Sequence, residues 1–469
     1  MGDRYTGRRV LVAGAAVAGA AAAEVLLRHG ASVTVVDRTR TAHLGRLAAL
    51  GARVTVGSTD DPALLRDVDD VVVSPGFTPR HPLAAAAVAA GLDVYSEPEL
   101  AWRLRGPQAS PWLAVTGTNG KTTTTTMLAA ILRAAGLRTA ALGNIGEPLV
   151  FAAAGYAEPG YDVLAVELSS FQLYWSSTLA PQVGAWLNLA DDHLDWHGSF
   201  AAYAAAKRAI WRAADTGGTA IGNLDDPFVA ARLAEVPGRT VGVTLGEPGP
   251  GQFGVVDGVL VDHATHAEPV ALVDASAVLP SGAHNVSNAL HAAALARVYG
   301  VSAAAVREGL SGYQPEPHRN AFVASHDGVD FVDDSKATNP HAAYASLTAY
   351  PSVVWIAGGQ LKGADVDGLV RDVAGRLRGA VLLGVDRALI AESLARHAPG
   401  IPVVDVATTD DGAMREVVEA AVDLARPGDT VLLAPAAASL DMYPSYARRG
   451  DQFVAAVRSL TERRRAASR

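Results

Sequence analysis

The chain has 469 residues, with 39 Lys plus Arg against 48 Asp plus Glu and a net charge of −9. That length is too great for one ordinary hydrophobic core and predicts about three domains, and 49% apolar with 19% charged residues describes a folded globular chain. The acidic balance argues against a nucleic-acid binder, and zero cysteines exclude disulfides, thiolate metal sites, iron–sulfur clusters and cysteine nucleophiles.

The opening residues, Met1 to Arg9, lead into a short apolar strand and not a signal-peptide core. Residues 10–13 read as a buried strand ending at Gly14. An Ala-rich helix through Leu27 follows, then Gly30 and a second strand, 32–36, closed by Asp37. This is a βαβ unit with an acidic residue after its second strand. Residues 71–73 predict another strand running into the turn Ser74-Pro75-Gly76, the kind of strand end where open α/β sheets bind ligands. The run Gly14-Ala15-Ala16-Val17-Ala18-Gly19 has Ala16 where the dinucleotide fingerprint needs its second glycine. A tight turn before a helix is as good a reading as a nucleotide site, so a Rossmann-like domain for a ligand other than NAD is expected.

A linker is expected at 105–111, before a new strand at 112–115. Strand 163–166 ends at Glu167, and the uncharged run 168–190 carries Ser, Gln, Asn and Pro181, unlike a membrane span. The proline-rich stretch 312–317 predicts a second boundary. Strand-like runs at 353–357, 380–383 and 430–434 then alternate with helical stretches. The expected organisation is α/β throughout: a Rossmann-like domain over 1–107, a P-loop-type ATPase domain with a parallel sheet over 108–316, and a second Rossmann-like domain over 317–469. The alanine-rich tracts read as helix filler, and the basic tail 462–469 as frayed and solvated. The cytoplasm is the default compartment.

The strongest chemical signal is Val115-Thr116-Gly117-Thr118-Asn119-Gly120-Lys121-Thr122, between a strand and a helix. Glycines let several N–H groups face one point, the helix start adds partial positive charge, Lys121 reaches outer phosphates, and Thr122 can bind Mg²⁺. Val115 stands where the full pattern has its first glycine. The motif predicts nucleotide binding.

Gly117 to Thr122 resembles the ATP loop of the Mur ligases, ATP-dependent amide-forming enzymes of peptidoglycan precursor synthesis. Further stretches extend the resemblance over all three domains: Gly143-Asn144-Ile145-Gly146, Glu167-Leu168-Ser169-Ser170-Phe171-Gln172-Leu173, Asn188 to Asp195, Tyr203 to Lys207, His284-Asn285-Val286-Ser287-Asn288 and Pro317-His318-Arg319. Asp333 to Asn339 and Ala436 to Tyr443 resemble the members that add D-glutamate, whereas the Asp-Asn-Pro-Arg motif of the diaminopimelate-adding members is absent. Ala437 stands where a cysteine is common. The resemblance implies ATP, two Mg²⁺ ions, UDP-N-acetylmuramoyl-L-alanine and D-glutamate as ligands, an acyl-phosphate route, a monomer, and neither nucleic acid nor membrane as partner. A nucleotide-driven switch would share the loop but form no amide.

On its residues alone, Glu167 needs a partner at the end of a buried strand, either a structural ion pair or, beside a phosphate loop, Mg²⁺. His193 lies in a polar stretch, 191–197; its family counterpart binds a second metal ion and faces the UDP-sugar substrate. Asp195 and His197 have no family counterpart of known function and are expected in solvent. Lys207 alone reads as an exposed helical lysine, but its counterpart is carbamylated and helps hold metal with Thr122, Glu167 and His193. Carbamylation turns a cation into an anion, as a magnesium site beside phosphates requires.

Lys121, His193 and Lys207 are the expected catalytic residues. Gly117, Thr118, Asn119, Gly120, Lys121, Thr122 and Thr123 would hold ATP. Asn285 and Asn288 would lie near adenine, with helix capping the alternative for Asn285. Arg319 would reach the phosphates when the third domain closes, or else be a surface arginine. Gly14, Asp37, Arg38, Ser74, Pro75 and Gly76 would hold uracil and diphosphate, and Asn144 the sugar-linked substrate. Thr338 and Lys362 would bind the D-glutamate carboxylates, with Ser439 and Leu440 serving its side chain through backbone groups. Tyr446 stands where relatives have phenylalanine.

Overall fold

The structure, a computed structural model, describes residues 4–106, 108–156, 160–315, 317–408 and 412–467. By packing it divides into two compact units. One is built from the residues up to Ala277 together with Ser287–Tyr313, the other from Val278–Val286 together with the residues from Gln314 onward. The first unit holds two sheets and the second holds one, so each of the three expected segments carries an α/β sheet. The linker residue Pro107 and the boundary residue Glu316 lie outside the described residues.

The first sheet consists of β1 (Arg9–Ala13), β2 (Ser32–Asp37), β3 (Arg53–Val56), β4 (Asp70–Val73) and β5 (Asp93–Tyr95). All pairs are parallel, in the order β3-β2-β1-β4-β5. Its central strands read as continuous apolar runs because both faces are covered: Val10, Val12, Val35 and Val72 pack on one side, Leu11, Val36, Val71 and Val73 on the other. The Ala-rich helix Val17–Arg28 buries Ala20, Ala21, Ala22, Ala23, Val25 and Leu26. These alanines are core contacts that let the helix lie close to the sheet, so the filler reading is corrected.

The second sheet has nine strands: β6 (Trp112–Thr116), β7 (Ala141–Gly143), β8 (Leu164–Glu167), β9 (Val183–Trp186), β10 (Thr219–Asn223), β11 (Arg239–Val243), β12 (Gln252–Val256), β13 (Val259–His263) and β14 (Val270–Asp274). Their order is β14-β13-β12-β11-β10-β9-β6-β8-β7. Pairs from β7 to β12 are parallel, and β12-β13-β14 form an antiparallel meander. Asp257 and Gly258, both at positive φ, make the two-residue turn between β12 and β13, a hairpin signal present in the sequence.

The second unit's sheet contains β15 (Ala321–His326), β16 (Val329–Asp333), β17 (Val353–Gly358), β18 (Leu377–Leu383), β19 (Val403–Asp405) and β20 (Thr430–Leu433), ordered β15-β16-β20-β17-β18-β19. Only the β15–β16 pair is antiparallel. The tail, expected to fray from residue 462, continues the helix Tyr446–Ala467, with Arg463 paired to Glu419 at 2.9 Å. Its last two residues, Ser468 and Arg469, lie outside the described residues. Among the described residues no helix is long and apolar enough to cross a membrane.

Candidate active site

The parallel neighbours β7-β8-β6-β9 bring four strand ends to one edge of the central sheet, the edge where such sheets bind ligands. They deliver Asn144, Glu167, the loop 117–120 and Asn188 side by side. Gly143, at φ +111°, lets β7 approach β8 so closely that a Cβ there would lie 2.3 Å from the Glu167 carbonyl. The loop enters the helix Lys121–Ala134 through Gly120, whose φ is +80° and whose Cβ would lie 2.4 Å from Asn288 Oδ1.

Asn188, which the motif reading left without a role, braces that loop. Its Oδ1 accepts from the Asn119 N–H at 2.9 Å, its Nδ2 donates to the Asn119 carbonyl at 3.1 Å, and its own carbonyl accepts from the Thr118 N–H at 3.2 Å. Thr118 Oγ1 lies 3.0 Å from the Tyr203 hydroxyl, and Thr124 Oγ1 donates to Asn288 Oδ1 at 3.3 Å. The helix start therefore presents its N–H groups from a fixed frame, a ready anion site.

Glu167 is 1% exposed and is bonded at both oxygens, by Thr122 Oγ1 at 2.7 Å and by Asn144 Nδ2 at 2.7 Å. Lys207 is equally buried, at 1%. The reading of Lys207 as an exposed helical lysine is thereby corrected: the helix Phe200–Arg208 turns it inward, and Nζ donates to the Gly117 carbonyl at 2.7 Å. Lys121 Nζ donates to that same carbonyl at 2.8 Å and to the Thr118 carbonyl at 2.7 Å. Burial first, and then the Lys121 charge, push the Lys207 amine well below the ordinary lysine value, against the pull of Asp192 and Glu167.

His193 sits in the left-handed region at φ +54°, at the start of the short helix Leu194–His197. Its ring meets Phe171 edge-on at 4.7 Å, and Asp192 lies 3.5 Å from Nδ1. Burial lowers its pKa; Asp192 opposes this, while Lys121 and Lys207 add to it. Asp195 is exposed as expected, but His197 is not. His197 is buried, bonds the Ser170 hydroxyl at 2.9 Å and is held neutral, with a pKa lowered to about 4 mainly by burial.

Among the described residues no three His, Asp or Glu side chains gather into a metal cluster. The candidate set offers one carboxylate, one hydroxyl, one imidazole and one amine. Mg²⁺ commonly takes one or two carboxylates and leaves its other positions to phosphates and water. Thr122 and Glu167, already bonded to each other beside the loop, fit that donor set. The Lys207 amine does not supply the oxygen Mg²⁺ prefers; a carbamate on it would.

At the first sheet, β1 lies where the strand order reverses, the switch point of such folds. Gly14 N–H donates to the Val36 carbonyl at 2.8 Å, Ser74 Oγ donates to the Gly14 carbonyl at 3.2 Å, and the Asp37 carboxylate accepts from the Ala15 and Thr39 N–H groups at 2.7 and 3.0 Å. Burial of Asp37 opposes ionisation, but those N–H bonds hold its carboxyl below the usual range. Arg38 turns aside to Thr59 Oγ1 at 3.2 Å and Asp60 at 3.4 Å. The Pro75 carbonyl accepts from the Trp196 indole at 2.9 Å, and Gly76 is exposed.

In the second unit, β16, β20 and β17 are parallel neighbours whose following loops carry Thr338, Ser439 with Leu440, and Lys362. Gln360 and Ala438 exchange backbone hydrogen bonds at 2.8 and 2.9 Å, bridging two of those loops. Ser439 is buried, Leu440 and Lys362 are exposed, and the Tyr446 ring lies 4.0 Å from Lys336 Nζ. Arg449, absent from the sequence reading, ties the three loops together. Its guanidinium, 1% exposed, donates to Ser335 Oγ at 3.0 Å, the Ser335 carbonyl at 2.9 Å, the Ala437 carbonyl at 3.1 Å and the Gly358 carbonyl at 3.3 Å. Burial lowers its pKa to about 10.

The expected ATP residues divide between the units. The loop 117–123 and Asn288 belong to the first unit, Asn285 and Arg319 to the second. The Asn285 amide meets the Ser281 carbonyl at 3.5 Å and His284 Nε2 at 3.0 Å.

Three family models match consecutive segments: a MurD-like N-terminal domain over 8–96, a Mur ligase middle domain over 115–296 and a Mur ligase glutamate ligase domain over 318–437. The chain is 54% identical to a UDP-N-acetylmuramoylalanine–D-glutamate ligase of Thermobifida fusca, over 97% of this chain and 99% of that one. A protein of the same name from Streptomyces coelicolor is also 54% identical, over 98% and 100%. Among solved structures it resembles the MurF ligase of Thermotoga maritima in complex with ADP (TM-score 0.59, 15% identity, 99% and 97% coverage). The UDP-N-acetylmuramate-alanine ligase of the same organism is similar too (0.57, 17%, 96% and 99%).

Proposed function

The chain belongs to the Mur ligase family, and we propose the following assignment of its reaction to its residues. It joins D-glutamate to UDP-N-acetylmuramoyl-L-alanine with conversion of ATP to ADP and phosphate, a step of peptidoglycan precursor synthesis. A carboxylate is a poor acyl donor, so its oxygen first attacks the γ-phosphorus and the bond to the β-phosphate oxygen breaks. The D-glutamate amine then attacks the acyl carbon, and phosphate leaves with loss of the ammonium proton. Positioning and charge stabilisation carry such steps.

The observation that carries the assignment is the convergence of Lys121 and Lys207 on the Gly117 carbonyl, with the bonded pair Thr122 and Glu167 at the same end of the central sheet. The loop 117–123 holds the ATP phosphates, Lys121 neutralises the transferred phosphoryl group, and Asn288 braces the loop near the base. Asn285 serves adenine and Arg319 the phosphates. Mg²⁺, held by Thr122 and Glu167 with His193 and a carbamylated Lys207 serving a second ion, would offset the repulsion between the acyl carboxylate and ATP.

The depressed pKa of Lys207 supports that modification. Its neutral amine attacks carbon dioxide, a nitrogen–carbon bond forms, and a proton is released. Gly14, Asp37, Arg38, Ser74, Pro75 and Gly76 hold the UDP group, with Asn144 and His193 toward its acyl end. Thr338, Lys362, Ser439, Leu440 and Tyr446 hold D-glutamate. Domains over 1–107, 108–316 and 317–469, a cytoplasmic monomer and two Mg²⁺ ions complete the reading.

The test is phosphate release with ATP, Mg²⁺ and UDP-N-acetylmuramoyl-L-alanine, comparing D-glutamate with L-glutamate, glycine and L-alanine and confirming product mass. Release with D-glutamate alone is expected. Release with another amino acid would discard the reading of the second unit, and ATP binding without release would favour a nucleotide switch.

A further inference from the structure

The four-residue helix Leu194–His197 is too short to fix its own orientation, since it has only about one turn of internal bonds. Left-handed residues, His193 at φ +54° and Gly198 at φ +82°, bound it on both sides. Its direction is set from outside. On one side the Trp196 indole N–H donates to the Pro75 carbonyl at 2.9 Å, and the exposed Arg80 donates to the Asp195 carbonyl. On the other side His197 bonds Ser170, three residues beyond Glu167, at 2.9 Å. Phe171 completes the connection, with its ring 4.7 Å from both Trp196 and His193.

We propose that Trp196 is a positioning residue that couples the turn Ser74-Pro75-Gly76 to His193 and the phosphate-transfer end, so that ligand at either place strengthens binding at the other. The inference rests on the placement of the UDP group and of His193 given above. Trp196 is 7% exposed, so its N–H must keep its acceptor or stand unsatisfied in the interior. A ligand that orders the turn fixes the Pro75 carbonyl and, through the indole, the ring stack against which His193 rests. Such coupling is reciprocal. The same turn region has a second indole bond, from Trp175 Nε1 to the Phe77 carbonyl at 3.2 Å, which does not involve the 194–197 helix.

The experiment is calorimetric titration of the full chain with UDP-N-acetylmuramoyl-L-alanine and with a non-hydrolysable ATP analogue plus Mg²⁺, each alone and in the presence of the other. In the unsubstituted chain each ligand is expected to tighten the other by a factor in the range of about 5 to 150. Trp196→Phe keeps an aromatic ring, though a smaller one, and removes the donor; single-ligand affinities should stay within about threefold while the coupling factor drops below about two. Arg80→Gln, at an exposed position, should lower the factor partway and decides the matter if the Trp196 variant does not fold. Trp175→Phe should retain the coupling.

Absence of coupling in the unsubstituted chain, full coupling in a folded Trp196→Phe, full coupling in Arg80→Gln where Trp196→Phe does not fold, or equal loss in Trp175→Phe would each overturn the proposal. Failure of the unsubstituted chain to bind the UDP substrate at all would instead defeat the functional reading beneath it.

Discussion

Lys207 is a buried lysine whose amine shares one carbonyl with a second lysine, an arrangement that stability alone would not favour. Replacing it with an apolar side chain of similar length removes a buried amine whose charged form is desolvated and repelled by Lys121. Lys207→Met should therefore keep or raise the urea midpoint while kcat falls by about 10² or more, the usual scale for losing a charge-stabilising group; denaturation and steady-state assays on one preparation check both. A variant that lost stability and activity together would make Lys207 structural. The sequence displayed the lysine and its family position, but its residues alone suggested exposure. Its environment comes from Gly117, 90 positions away. Asn188 was hidden for the same reason, since it acts on Asn119 across 69 positions.

Elements here are held by side chains borrowed from other elements. The helix Leu149–Ala153 has no side-chain cap of its own. Glu97, at the start of the helix Glu97–Leu104, accepts from the Val150 N–H at 2.7 Å. Burial raises the Glu97 pKa from the ordinary 4.5 to about 7. The folded chain thus holds this proton after the unfolded chain has lost it, and stability falls as pH rises from 4.5 to about 7.

Glu97→Gln keeps an acceptor for Val150 and removes the titration. Its urea midpoint relative to the unsubstituted chain should rise between about pH 5 and about pH 7.5; an unchanged difference would mean that Glu97 is ionised throughout. Strands were the most legible elements, because central parallel strands are apolar on both faces. The meander β12 to β14 was missed, although Asp257-Gly258 signalled its first turn. Alanine tracts showed helix but not that Ala20 to Ala23 face the core.

Among the described residues one device recurs in each of the three sheets: parallel strands whose carboxyl ends gather the loops proposed to hold ligands. In the second unit the gathering depends on Arg449, which reaches Ser335 across 114 positions. Lysine can reproduce the charge but not the fork of donors. Arg449→Lys should raise the KM for D-glutamate about tenfold or more while leaving the KM for the UDP substrate within about twofold. Equal rises in both would place Arg449 in general stability instead, and initial-rate measurements separate the cases.

The sequence by itself determined the α/β class, the phosphate loop, the glutamate at the end of its strand and the family, because these depend on local order: a strand, a glycine bend, a helix start and the residues on them. Tertiary structure decided that Lys207 and His197 are buried, that Asn188 and Arg449 organise the loops, and that the loop of Trp196 bears on the turn at Pro75. Burial and long-range hydrogen bonding exist only once distant segments are packed together, and no local pattern of residues encodes them.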